Sequence, residues 1–186
     1  MKKILFSLIL LLCASCETDN MFSSHDCYFV FQASIFPSSA LTRSVGSTGG
    51  NFCIVKAVME RGVTHLKLTP NQGTYASTDL DLTMSTAVNG RPISYTRMGY
   101  KQGLIVGRSP FGQLKAYDLQ CPNCDFNYEL KWKDIYELQC GKCNRTYNIN
   151  GNEGYVQSGD KGHNLAMYKY VTYNEFDGML VVSNGP

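Results

Sequence analysis

Charge is scarce in this chain of 186 residues: only 17% are charged, with 17 basic against 15 acidic side chains. No Lys/Arg run or patch remains to mark nucleic-acid binding, and no acidic tail marks a cationic partner. Long apolar runs are missing too. The longest, the mostly apolar Ile4 to Leu12, has about nine residues where a bilayer span needs about 20. No stretch keeps an apolar 3.6-residue period for three turns, which excludes a helical bundle. A Gly-x-Ser-x-Gly elbow and a Gly-rich phosphate loop are both lacking, which removes the usual signatures of serine hydrolases and P-loop enzymes. Asp79 and Asp81 stand two apart on one expected strand face with no second acidic group nearby, so a glycosidase dyad is unsupported. Of three histidines, His25 and His65 have no acidic or cysteine partner at ligand spacing, and neither is given a role.

What is present is an ordinary globular composition, 44% hydrophobic and 12% aromatic, enough for one sizeable core. From Cys27 onward, short apolar or alternating runs are separated by Gly, Pro and Asn. The runs Cys27 to Ala33, Cys53 to Val58, Val63 to Thr69, Leu80 to Met84, Ile93 to Met98, Gly103 to Gly107 and Leu114 to Asp118 read as strands. So do Tyr128 to Trp132, Tyr136 to Gln139, Tyr147 to Ile149, Ala166 to Tyr173 and Met179 to Ser183. Turn residues such as Ser109-Pro110-Phe111-Gly112 and Asn89-Gly90-Arg91-Pro92 punctuate them. Phe36 to Thr48 reads as loop or a single helical turn. The expectation is an all-β sandwich or barrel, undivided from 25 to 186.

The amino terminus carries an address. Met1-Lys2-Lys3 and the short apolar run form a secretory signal, and Leu12-Cys13-Ala14-Ser15-Cys16 resembles the lipobox of bacterial lipoproteins. Residues 1–15 are expected to be the signal peptide, Cys16 the lipidated residue, and 16–24 the tether, whose Glu17-Thr18-Asp19-Asn20 looks like that of Bacteroidetes surface lipoproteins. The protein is thus expected to be exported and anchored to the outer membrane through lipid. Loss of Lys2 and Lys3 leaves 15 basic against 15 acidic residues, so the apparent basicity belongs to the signal.

The chemistry-bearing feature is Cys121-Pro122-Asn123-Cys124, then fifteen residues, then Cys140-Gly141-Lys142-Cys143. Two such knuckles let four thiolates converge on one ion from adjacent hairpin tips. Structural zinc, an iron-sulfur cluster, thiol redox exchange and plain disulfides all fit the spacing. Lys142 and Arg145 flank the second knuckle and are placed to balance the excess negative charge of a four-thiolate ion. Cys27 and Cys53, left over in an exported chain, are a candidate disulfide closing a loop of about 25 residues; two buried free thiols are the other reading. Trp132 and the tyrosines are expected to fill and edge sheets, with glycan contact a further option on an envelope protein.

The run Gly103-Leu104-Ile105-Val106-Gly107-Arg108, then Gly112 to Asp118, then Cys121-Pro122, resembles the strand pair that delivers the first cluster knuckle in the Rieske superfamily. Tyr147, Gly151, Gly154, Leu165, Tyr168, Val171, Gly178 and Leu180-Val181-Val182 continue that order, so the resemblance covers roughly the last 85 residues. It implies a Rieske-like β domain with a small rubredoxin- or zinc-ribbon-like metal-binding subdomain at about 119–150. Cys121 and Cys140 match the family's two cysteine ligands. Its two histidines are replaced by Asn123, with Cys124 beside it, and by Cys143, and Ser158-Gly159-Asp160-Lys161-Gly162-His163 stands in for the loop that covers the cluster. The resemblance therefore implies an all-cysteine site holding zinc or a [2Fe-2S] cluster, with Asn123 and His163 as residues beside the ligands. Similar Bacteroidetes lipoproteins carry the same Cys-Pro-Asn-Cys and Ser-Gly-Asp-Lys-Gly series. A non-enzymatic binding or assembly module, with an envelope protein or glycan as partner, is the functional expectation; electron transfer is the alternative.

Overall fold

The computed structural model describes residues 22–72, 82–83, 93–151 and 154–185. The expected signal peptide, Cys16, residues 16–21 of the tether, Asp79, Asp81 and the turn Asn89 to Pro92 lie outside the described residues. The strands begin as β1 (Cys27–Gln32), β2 (Asn51–Glu60), β3 (Val63–Pro70), β4 (Leu82–Thr83), β5 (Ile93–Met98), β6 (Gly103–Arg108) and β7 (Leu114–Asp118). They continue as β8 (Leu130–Asp134), β9 (Glu137–Cys140), β10 (Thr146–Asn148), β11 (Tyr155–Ser158), β12 (Tyr170–Asn174) and β13 (Met179–Ser183). One α-helix, α1 (Ala40–Val45), interrupts them among the described residues. The protein is all-β.

Three antiparallel sheets form, in the orders β12-β13-β1-β5, β4-β3-β2-β6-β7 and β11-β10-β9-β8. The five-stranded sheet lies between two hydrophobic cores, and the period-two alternation of its strands assigns each side chain to one of them. Cys53, Val55, Leu104, Val106 and Ala116 enter the core shared with β1, β5, β13 and α1. Phe52, Ile54, Ile105 and Tyr117 enter the core shared with β8, β9 and β10. This explains why Gly103 to Gly107 is a continuous buried run rather than an alternating one: both faces of β6 are covered. β1 behaves as the opposite case, with Cys27, Phe29 and Phe31 inward and Tyr28 exposed.

The helix α1 is short because its signals are local. Ser39 accepts a hydrogen bond from the Thr42 backbone N–H at 3.0 Å, an amino-terminal cap. At the other end the Arg108 guanidinium donates to the Val45 and Gly46 carbonyls, satisfying orphan acceptors where the helix dipole is negative.

The third sheet is tied to the middle one at the end of β3. Trp132 donates its indole N–H to the Thr69 carbonyl at 2.9 Å, and Asn71 donates to the Ile135 carbonyl at 2.8 Å. Trp132 thus joins sheets, as a mostly apolar side chain with one donor should.

Candidate metal centre

The polypeptide enters the site from the end of β7. After Asp118 the backbone crosses to Cys121, whose N–H donates to the Tyr128 carbonyl at 2.8 Å, so the segment is held as the base of a narrow hairpin. Pro122–Cys124 then forms a 3-10 turn, and Asp125 and Phe126 both adopt positive φ, 49° and 54°. That left-handed pair is uncommon for non-glycine residues and reverses the chain within one turn. The Cys121 carbonyl accepts from the N–H of both Cys124 and Phe126. The second knuckle mirrors the first: Cys140 ends β9, its N–H donates to the Arg145 carbonyl, and Asn144 at φ 57° turns the chain into β10.

These turns bring the Sγ atoms of Cys121, Cys124, Cys140 and Cys143 within 4.8 Å of one another. The pairs Cys121–Cys143 and Cys124–Cys140 are each separated by 3.8 Å. A regular tetrahedron around an ion with metal–sulfur bonds of about 2.3 Å has edges of about 3.8 Å, so the set has the dimensions of a one-ion, four-thiolate site. A disulfide requires about 2.05 Å between sulfurs. All four cysteines are free thiols, and the disulfide reading of the knuckles does not hold.

Cys121 and Cys140 are fully buried in the second core, whereas Cys124 and Cys143 are partly exposed toward the tips. Burial pushes the Cys121 thiol upward, with the Tyr147 hydroxyl and the Asn123 N–H opposing it. Burial likewise raises Cys124 to about 11, reinforced by its cysteine neighbours. Cys143 goes the other way. Burial raises it, but hydrogen bonds from the backbone N–H and guanidinium of Arg145 and from the neighbouring thiols outweigh that and hold it at about 6. Cys143 is therefore ready to lose its proton, whereas a metal must displace the protons of Cys121 and Cys124.

The surroundings suit a negatively charged centre. The Tyr147 hydroxyl lies 3.1 Å from Cys121 Sγ and accepts from the Asn123 amide at 2.9 Å. The Lys142 backbone N–H points at Cys140 Sγ at 3.4 Å. Arg145 answers Cys143, which raises the pKa of its guanidinium. The Lys142 ammonium instead sits 5.8 Å over the Tyr128 ring, so only its backbone serves the sulfurs.

Asn123 also binds the segment Ser158 to His163. Its Nδ2 donates to the His163 carbonyl at 2.7 Å, and its Oδ1 accepts from the His163 N–H at 2.8 Å. A Cβ at Gly162 would lie 2.2 Å from Asn123 Oδ1, so glycine is required for that approach. Arg145 holds the same segment through the carbonyls of Asp160 and Lys161. Asn123 and His163 thus both border the site, the histidine contributing its backbone to that clasp.

Two expectations are corrected. The Cys27–Cys53 disulfide is not formed: both cysteines are free and buried, the reading of two separate thiols, on strands of two different sheets that share one core. Cys27 Sγ instead lies 3.6 Å from the Val182 carbonyl, and Cys53 Sγ 3.3 Å from that of Ile54. His25, read as lacking an acidic partner, has its Nδ1 3.4 Å from Asp118 Oδ2 and packs its ring on Phe126 and Tyr100. The fully buried Asp118 also accepts from the Tyr168 hydroxyl and from the N–H groups of Tyr100 and Gln120. Tyr147 and Asp118 stood in the sequence only as members of the Rieske-like series, with no role of their own; their hydrogen bonds to Cys121 and around Asp118 come from the structure.

No family model matches the chain, nor does any curated protein or solved structure. The functional reading therefore rests on the geometry.

Proposed function

We propose that the four cysteines hold one zinc ion as a structural centre, in an exported, lipid-anchored module that binds or assembles rather than catalyses. The observation that carries this reading is the compactness of the sulfurs, all within 4.8 Å and with two edges of 3.8 Å. Four thiolates leave no open position for substrate or water, which is the character of a structural rather than a catalytic zinc. A two-iron cluster would divide the thiolates between two metals and spread them more widely than one ion does. Cys121 and Cys140 sit inside the second core, so occupancy would couple to the packing of β8, β9 and β10. When bound, the ion supplies the cross-link between the knuckles; Tyr147, Arg145 and the Lys142 N–H offset its excess negative charge.

A Rieske-like ancestry is supported by the delivery of the first knuckle from the β6–β7 hairpin and of the second from β9, and an all-cysteine set removes the histidines that a redox centre of that type uses. Export and lipidation at Cys16 rest on the amino-terminal sequence.

The test is metal content and colour of protein purified anaerobically without chelator. One zinc per chain and no visible absorption is the expected result. A brown protein with charge-transfer bands and about two irons per chain would overturn the zinc reading in favour of electron transfer. For the anchor, Cys16→Ala should move the protein from the membrane fraction to the soluble one, and an unchanged distribution would remove lipidation.

A further inference from the structure

The four knuckle sulfurs differ in access. Cys121 and Cys140 are 0% exposed, whereas Cys124 and Cys143 are partly exposed. Each knuckle therefore presents one cysteine to solvent and buries the other. The 3.8 Å sulfur contacts cross between the knuckles: exposed Cys143 meets buried Cys121, and exposed Cys124 meets buried Cys140. An accessible sulfur touching a shielded one is the arrangement of an attacked and a resolving thiol. Here it occurs twice in one cluster. Cys27 and Cys53 offer the contrast, each buried with its sulfur beside a backbone carbonyl. All six are free thiols, so the structure shows the reduced state.

Granted the single zinc ion proposed above, we propose that the centre is also a modification site for peroxide. Oxidation converts it into two disulfides across the knuckles, Cys121–Cys143 and Cys124–Cys140, and the ion leaves while the hairpin tips stay linked. The Cys143 thiolate attacks one peroxide oxygen; the O–O bond breaks, hydroxide leaves and the sulfur becomes a sulfenic acid. The Cys121 thiolate then attacks Cys143 Sγ; the S–S bond forms, the S–O bond breaks and a second hydroxide leaves. Each pair of thiolates thus gives its two electrons to one peroxide molecule, and Cys124 and Cys140 repeat the sequence. Disulfide sulfur carries no charge, so no ligand for the ion remains.

Closure moves each pair from 3.8 Å to about 2.05 Å. The bridges join residues 22 and 16 apart in sequence, and cross-links of that span restrict the unfolded chain more than bridges within a Cys-x-x-Cys turn. Cys121 and Cys140 lie in the core shared with β8, β9 and β10, so that core keeps its ties between the knuckles after the ion has gone.

The experiment treats the full zinc-loaded protein with hydrogen peroxide. Zinc release and remaining thiols are counted, disulfides are mapped by mass spectrometry of digests, and amide exchange is followed in β8 to β11. The expected result is release of all the zinc with loss of the four knuckle thiols, bridges at Cys121–Cys143 and Cys124–Cys140, protection retained in β8 to β11, and zinc uptake restored by reduction. Dimedone present with the peroxide should label Cys124 and Cys143 rather than Cys121 and Cys140, and Cys27 and Cys53 should keep their thiols. Bridges within a knuckle, sulfonic acids without bridges, unfolding of β8 to β11 as zinc leaves, or zinc and thiols that survive excess peroxide would each overturn the proposal. Metal analysis before the oxidant separates the two readings: iron in place of zinc refutes both, whereas a zinc protein with any of those outcomes refutes only the peroxide site.

Discussion

The two cores on either side of the five-stranded sheet contain the same element, sulfur, in different company. On one side Cys27 and Cys53 lie singly among aliphatic and aromatic side chains. Burial, with Asp118 adding to it, pushes the Cys27 thiol up to about 12, and burial alone pushes Cys53 upward. These are small apolar fillers with protonated sulfur. On the other side Cys121 and Cys140 are as deeply buried, yet each has a second knuckle sulfur at 3.8 Å and Tyr147 or a backbone N–H facing it. Burial is common to both sets. The convergence of partners is what separates a packing thiol from a ligand.

The largest expected break of this contrast is at the knuckles. Cys121→Ser or Cys140→Ser should abolish stoichiometric metal and unfold the sheet β8 to β11, since binding of a structural zinc is worth about 10–16 kcal/mol in small peptides. Metal analysis and hydrogen exchange would check it; a fully folded, metal-bearing variant would remove the structural role. Next is alkaline sensitivity on the other side. The Cys27 thiol ionises near 9.0 when unfolded and about 12 when folded, so its contribution is intact below pH 9 and is lost as pH rises toward 12. Cys27→Ala should flatten the fall of urea stability across that window, and an identical slope in both proteins would refute the assignment.

Smaller effects sharpen the comparison. Cys53→Ser places a hydroxyl in an apolar core and should cost about 1–3 kcal/mol without changing metal content; loss of metal would show that the two cores are not separable. Tyr147→Phe removes the hydroxyl shared by Cys121 and Asn123 and should cost about 1 kcal/mol in thermal or urea unfolding. It should also loosen the Ser158 to His163 segment, read as faster amide exchange there, and unchanged exchange would detach that segment from the site.

Most of the strands were legible because alternation and turn residues are local. β5, β7 and β13 coincide with their expected spans, and β6 runs one residue further, to Arg108. β11 was not expected: Tyr155-Val156-Gln157-Ser158 has no apolar face and becomes a strand only by pairing with β10. β12 starts four residues later than the run beginning at Ala166, because Ala166 to Tyr168 passes beside β7, where the Ala166 carbonyl accepts from Asp118 N–H and Tyr168 N–H donates to the Ala116 carbonyl. The Cys27–Cys53 pairing failed for a related reason, since sequence places both cysteines near strand starts but is silent about which sheet each strand joins.

The sequence by itself determined the two knuckles, because two residues between cysteines confine both sulfurs to one turn whatever surrounds them. It also determined the all-β class, through alternation at period two. Only the tertiary structure decided that Cys121 faces Cys143 and Cys124 faces Cys140, and that Asn123 clasps His163 forty residues away. Those contacts depend on strand register and sheet stacking, which bring together side chains that no local spacing relates.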